Sequence, residues 1–191
     1  MTPTTTGTYR ARSWRADGRL RCVGLDDGER VDLADAEGLH PGYRFAATLA
    51  WDDGRATPVE YDVTDRTLFA YADGVSNLFE VALDTWAAAR REGVGVNART
   101  TYDAAGDPNG AVYTFAEQAG ERDVYAEFRD GVAPIDVLLS RFREGAAAPN
   151  EVFVLRPVAH RFVLVYLVAE KGGVLADTVR DTYDCPRPAE D

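Results

Sequence analysis

The longest unbroken apolar runs lie toward the C-terminal end, at Val152-Phe153-Val154-Leu155 and from Phe162 to Val168. Neither run alternates with polar residues, and both are rich in β-branched and aromatic side chains, which predicts two strands covered on both faces. Arg156-Pro157 and Gly172-Gly173 bound them as turn signals. Fully burying one large apolar side chain contributes roughly 1.5–3 kcal/mol. No other segment concentrates as many of them, so the C-terminal half is expected to be built around this pair. The first third reads differently, as short alternating stretches cut by glycine turns. Thr8–Trp14 and Leu20–Leu25 flank Ala16-Asp17-Gly18 as a hairpin, and Arg30–Leu33 follows Asp26-Asp27-Gly28. Phe45, Ala47, Leu49 and Trp51 share a face between Pro41-Gly42 and Asp52-Asp53-Gly54. Val59, Tyr61 and Val63, then Phe69 and Tyr71, keep the same parity. Strands this short and numerous predict a small closed or partly closed antiparallel β-barrel.

Between these regions the period changes. Ser76-Asn77 with Glu80 reads as a capping box opening a helix whose stripe is Leu78, Phe79, Ala82, Trp86 and Ala89, stopped by Gly93. Val96–Tyr102 and Ala111–Ala116 predict a hairpin around Asp103–Gly110, and Val124–Phe128 reads as a further strand. Pro134 opens a second helix with Ile135, Leu138, Leu139 and Phe142 at i, i+3, i+4, i+7, ending at Gly145. A third helix is predicted from Val174 to Tyr183, with frayed residues at 1–7 and a loose tail from Pro186 to Asp191. Asp73-Gly74 is the natural boundary. The expected class is α+β: an OB/SH3-like barrel at 8–72, then an α+β domain at 73–185 with a mainly antiparallel sheet and three helices.

The segment DAEGLHPGYRFAATLAW, from Asp35 to Trp51, is similar to the strand–Pro-Gly–strand turn of TRAM domains, and the N-terminal third resembles small OB-type barrels. That resemblance implies RNA binding.

Charge alters how any such site is read. Acidic residues number 32 against 21 basic ones, a formal net charge of −11, and Lys171 is the only lysine. The composition resembles that of proteins from extremely halophilic archaea, and the whole chain resembles the uncharacterised haloarchaeal families of its length, a likeness that implies no activity. At 1 M salt the Debye length is about 3 Å, so diffuse acidity neither repels a nucleic acid nor selects another partner. Cys22 and Cys185 are too few for a disulfide framework and are expected to be reduced thiols. The start of the chain has no apolar core of a signal peptide, and no run approaches the ~20 residues of a membrane span. A soluble, cytoplasmic protein without membrane contact is expected.

The first candidate site is the hairpin Tyr9-Arg10-Ala11-Arg12-Ser13-Trp14-Arg15 with Arg19 and Arg21, where five arginines meet a single aspartate. Strand alternation puts Arg10 and Arg12 on one face and Tyr9, Ala11 and Ser13 on the other. Arginine forks bind phosphate, and Trp14 or Tyr9 could stack on bases; the competing reading pairs these arginines with the chain's own carboxylates. The second candidate is Lys171-Gly172-Gly173, a strand-to-helix turn whose N–H groups and helix dipole attract an anion. The plainer alternative is a tight turn. Asp103, Asp107 and Asn109 offer oxygens but too few for calcium, and read as a hairpin loop. Ser13, Ser76 and Ser140 lie in no nucleophile elbow, His40 and His160 read as turn residues, and the scattered His and Cys do not make a zinc site. No catalytic residue, metal or cofactor is expected. The favoured function is a non-enzymatic module binding RNA or single-stranded nucleic acid. A protein-interaction or scaffold component is the runner-up, followed by an anion-binding protein or enzyme using the Lys171 turn.

Overall fold

The computed structural model describes residues 2–118, 120, 122–144 and 147–191. These residues form a mixed α+β protein with two five-stranded sheets and four helices. The first sheet contains β1 (Thr4–Trp14), β2 (Leu20–Gly24), β3 (Arg30–Leu33), β4 (Arg44–Asp52) and β5 (Arg55–Asp65). They pair in the ring order β1-β2-β3-β5-β4, because β1 pairs with β2 and with β4, and a parallel bridge at Leu33 and Ala56 joins β3 to β5. Alternation turns Ala11, Leu20, Cys22, Leu33, Phe45, Ala47 and Leu49 into the ring, where they form a core with Leu39 and Tyr43. Residues 4–7, expected to fray, are instead paired with β4 from Thr4↔Ala50 onward. Their threonines suit a pleated strand, and a paired partner outweighs the fraying of a terminus.

The second sheet has the order β6-β9-β10-β8-β7, from β6 (Leu68–Val75), β7 (Val96–Tyr102), β8 (Pro108–Ala116), β9 (Glu151–Pro157) and β10 (Phe162–Val168). The two apolar runs are its central strands, and every residue of β10 is buried. Phe153, Leu155, Phe162, Leu164 and Tyr166 face α1 (Glu80–Glu92) and α4 (Val174–Tyr183). Val152, Val154, Val163, Val165 and Leu167 face α2 (Val124–Asp130) and α3 (Asp136–Arg143). Helices on both faces explain why these strands carry no polar alternation.

Four expectations need correction. Phe69 and Tyr71 belong to β6, which pairs in parallel with β9 in the second sheet rather than with the ring. The change of sheet therefore falls between Asp65 and Leu68, ahead of Asp73-Gly74. Val124–Phe128 is helix: the Asp123 carboxylate accepts the Ala126 N–H at 2.9 Å as its cap, and Tyr125 and Phe128 meet the sheet. The capping box at Asn77 does not form, because Asn77 takes a left-handed φ of 56° and α1 begins after Phe79 without a side-chain cap. The tail is pinned rather than loose: Arg187 reaches Glu151 at 2.8 Å and Glu190 reaches Lys171 at 2.6 Å. Gly93 ends α1 in the left-handed conformation as expected. Gly145, the expected end of the second helix, lies outside the described residues.

Gly42 fixes how the ring meets the second sheet. Its φ is 101°, and a side chain there would strike the backbone of Thr67, Leu68 and Phe69. With that space free, the Phe69 N–H donates to the Pro41 carbonyl at 2.9 Å. The ring is thereby tied to the start of β6.

Candidate nucleic-acid interface

The arginine hairpin is β1 and β2 with the turn between them. Tyr9 and Ala11 point into the ring, Tyr9 stacking on Phe45 at 5.7 Å between centroids. A register shift between Ala11 and Ser13 marks a bulge, so Ser13 leaves the inward face expected for it and turns toward α2 beside Arg12.

Arg10 and Arg12 do share a face, but it is closed. Arg10 is 1% exposed and Arg12 2%. Arg10 donates through Nε and Nη2 to Asp136 of α3 at 3.0 and 2.6 Å, and through Nη1 to the Gly42 carbonyl at 2.8 Å and Asp65 at 3.1 Å. Arg12 donates to the carbonyls of Phe128 at 2.5 Å and Ala133 at 2.7 Å. Ser13 donates to the Arg129 carbonyl at 2.7 Å and Arg21 to that of Asp130 at 3.1 Å. Three consecutive carbonyls at the C-terminal end of α2 thus receive hairpin donors. Those are the groups a helix leaves without partners and where its dipole favours positive charge. Arg21 is also forked onto Asp32. The hairpin does bind electronegative oxygen, and the oxygen these donors reach belongs to this chain. Arg10, Arg12 and Arg21 are therefore corrected from open nucleic-acid contacts to the joint between ring and helices.

What stays open is the tip. Trp14 is 48% exposed. It borders a cleft of about 290 Å³ with Ser13, Arg15, Ala16, Arg129 and Asp130. Arg15 lies 3.4 Å from Asp130 and 3.9 Å from Asp32, and Arg19 is paired with Asp17 at 2.6 Å. The hydrogen bonds from Arg19 hold the Asp17 carboxyl below its ordinary range, and those from Arg21 do the same to Asp32 despite partial burial. These carboxylates are ionised at neutral pH and balance the tip arginines. Tyr9 sits in the middle of β1 with its side chain turned into the core of the strand ring, away from this cluster.

The Lys171-Gly172-Gly173 turn holds an anion that the chain itself supplies. The Gly172 N–H donates at 3.0 Å to Glu151, a fully buried carboxylate that Arg180 and Arg187 also grip. Lys171 Nζ donates to Glu190 and to the Arg66 carbonyl, both at 2.6 Å. Gly173 is the residue preceding α4, in extended conformation. The strand-to-helix turn forms where the sequence places it, and its Gly172 N–H is occupied by Glu151 from within the chain. Burial pushes the Glu151 carboxyl up, but Arg187, the Gly172 N–H and Arg180 outweigh it and hold the group below the usual carboxylate range. Around Lys171, burial and the bond to Glu190 push the Tyr43 hydroxyl up to about 12. Sequence reasoning missed Glu151, whose signal was a single acid opening an apolar strand.

Remaining chemistry is sparse. Cys22 and Cys185 are free and buried, and burial drives the Cys22 thiol far above its ordinary value, which removes it as a nucleophile. Asp103 closes its own loop by accepting the N–H groups of Ala105 and Asp107 at 2.9 and 3.0 Å. Among the described residues no three His, Cys, Asp or Glu side chains gather as metal ligands, and no helix is long and apolar enough to cross a membrane.

A strand ring locked by an arginine hairpin onto a helix-covered sheet defines a mixed α+β protein with an exposed aromatic tip. The family model described as "Family of unknown function (DUF6663)" matches residues 1–188, and the chain belongs to that family. No curated protein and no solved structure matches the chain.

Proposed function

We propose that the protein is a non-enzymatic module that binds RNA or another single-stranded nucleic acid through the tip of the β1–β2 hairpin. The half-exposed Trp14 beside an arginine-lined cleft carries this reading. Base stacking needs an aromatic face that solvent can reach, and phosphate needs nearby guanidinium groups. Arg15, Arg19 and Arg129 supply the latter; Asp17, the partner of Arg19, lies on the surface, where exchange for a phosphate oxygen costs little, while Asp130, shared by Arg15 and Arg129, is half-buried in the wall of the cleft. The ring order, with β3 and β5 parallel, supports an OB-type barrel, a fold in which the loop between the first two strands contacts oligonucleotides. The carboxylate-rich composition supports a cytoplasmic setting in a haloarchaeon, with binding that works at multimolar salt.

The test is fluorescence anisotropy of a labelled ten-nucleotide oligouridylate across a salt series. Trp14→Ala is expected to weaken binding by about 1–3 kcal/mol, the worth of one stacked base. Arg15→Ala and Arg19→Ala should each lower the salt slope by roughly 0.7, one phosphate contact on a single strand. Unchanged affinity in all three variants, or no binding by the parent protein at any salt, sinks the reading.

A protein-interaction role is favoured by one separate observation. β7 is an edge strand, and Val96 and Tyr102 on it are 53% and 62% exposed. An open edge with apolar side chains is where another chain adds a strand. Recovery of one stoichiometric protein partner that Val96→Asp releases would favour this role.

A further inference from the structure

The other end of β1 opens onto a second cavity, of about 370 Å³, at the mouth of the ring. Parity shows how it is built. Thr5, Gly7 and Tyr9 of β1 lie in step with the inward Ala11, Gly24 of β2 with Cys22, Val31 of β3 with Leu33, and Trp51 of β4 with Leu49. Two of these inward positions are glycine. Neither Gly7 nor Gly24 has a positive φ, so no turn requires them. Glycine weakens a strand interior, so its use at two inward positions has a local reason.

Tyr9 and Asp27 take the room the glycines leave. A Cβ at position 7 would come within 3.2 Å of the Tyr9 hydroxyl, and one at position 24 would collide with the Asp27 carboxylate. Both groups therefore reach into the mouth. Trp51 forms another wall, held by its indole N–H donating to the Thr5 hydroxyl at 2.8 Å. Asp26 and Glu29 stand beside Asp27 at the rim. Arg30 also borders the cavity, but it is out of step with the inward Val31 and its stem lies by the position a Cβ on Gly131 would take, outside the ring.

We propose that this mouth binds an organic ammonium ion. Tyr9 and Trp51 line the mouth with aromatic rings, and the rim offers carboxylate, the two elements that hold a bulky cation. The cavity is of the size of small-molecule pockets, which favour the open ends of closed sheets. The carboxylates do not converge as metal ligands among the described residues, which selects an organic cation over a metal ion. The same rim repels phosphate, so Tyr9 serves this mouth and stands apart from the Trp14 tip.

Calorimetry with choline chloride replacing potassium chloride at constant ionic strength tests the proposal. Saturable binding is expected, at least tenfold tighter than for the neutral isostere 3,3-dimethyl-1-butanol. Asp27→Asn keeps the oxygen that accepts the Glu29 N–H at 2.9 Å and should bind choline at least fivefold more weakly with an unchanged melting midpoint. Gly7→Val fills the mouth and should do the same; if it fails to fold, Asp27→Asn decides. A trimethyl-lysine peptide that binds more tightly than choline assigns the cation to a protein, and one that binds more weakly assigns it to a free amine. No saturation by choline or the peptide, equal affinity for the isostere, or parental affinity in Asp27→Asn overturns the proposal.

Discussion

Glu151→Ala is expected to lower the unfolding free energy by about 3–5 kcal/mol, the cost of breaking a buried ion pair from one side. Glu151 opens β9, pairs across to Leu68 and Val168, and is 0% exposed. Its Oε1 accepts Arg180 Nε at 2.6 Å, and its Oε2 accepts Arg187 at 2.8 Å and the Gly172 N–H at 3.0 Å. Deleting the carboxylate strands the Arg180 guanidinium, itself 6% exposed, over Phe153 with only the carbonyls of Cys185 and Pro186 as acceptors. Glu151→Gln keeps the shape and one acceptor oxygen, so its loss should be smaller. The sign with pH follows from the depressed carboxyl. The folded pKa lies below the ordinary value of 4.5, so the contribution is complete above that value and is lost as pH falls through the folded pKa. Urea midpoints of the parent and Glu151→Gln should therefore draw together as the pH is lowered from 7 through the ordinary carboxylate value and on through the folded pKa. A gap that stays constant over that range would show that the charge of Glu151 does not contribute.

The elements readable from sequence were those with a strong one-dimensional signal. β9 and β10 are dense apolar runs, β7 spans the expected residues, and α4 runs from Val174 to Tyr183 because Gly173 precedes it and its apolar positions repeat at helical spacing. β6 lies in a different sheet from the one its parity suggests, because the parity of Phe69 and Tyr71 says which face is apolar, not which neighbour is bonded. Its partner β9 lies far along the chain and pairs in parallel, which no local pattern records. α2 reads as a strand over Val124–Phe128, although Asp123, Tyr125 and Phe128 carry a cap and a helical spacing. At the hairpin, composition revealed a demand for electronegative oxygen without naming its source. The source is a helix end 116 residues away in the case of Arg12 and Phe128. Only burial separates the arginines that hold the fold from those at the tip.

That separation gives the second large effect. Arg10→Met is expected to cost about 3–5 kcal/mol of stability while leaving the tip's affinity for oligouridylate unchanged in the folded fraction. Arg10 joins three elements: the Gly42 turn, Asp65 at the end of β5, and Asp136 on the first turn of α3. Methionine replaces the stem but no donor. Asp65 would keep Arg143 at 2.8 Å and the Thr67 hydroxyl at 2.9 Å, so its carboxylate stays compensated. Asp136 would lose its bonds to Arg10 and the Gly42 carbonyl would lose a charged donor, in a joint where water is scarce. Because the Asp136 side chain is 31% exposed, part of its charge can be rehydrated, which places the loss toward the lower end of the range. Arg19→Ala should behave in the opposite way: the pair with Asp17 is on the surface, so the urea midpoint should hold while the salt dependence of binding falls. Measuring both variants by urea unfolding and by anisotropy crosses the two roles. An Arg10→Met protein as stable as the parent would mean that the joint does not depend on Arg10, and an Arg19→Ala protein with parental salt dependence would remove Arg19 from the proposed phosphate contacts.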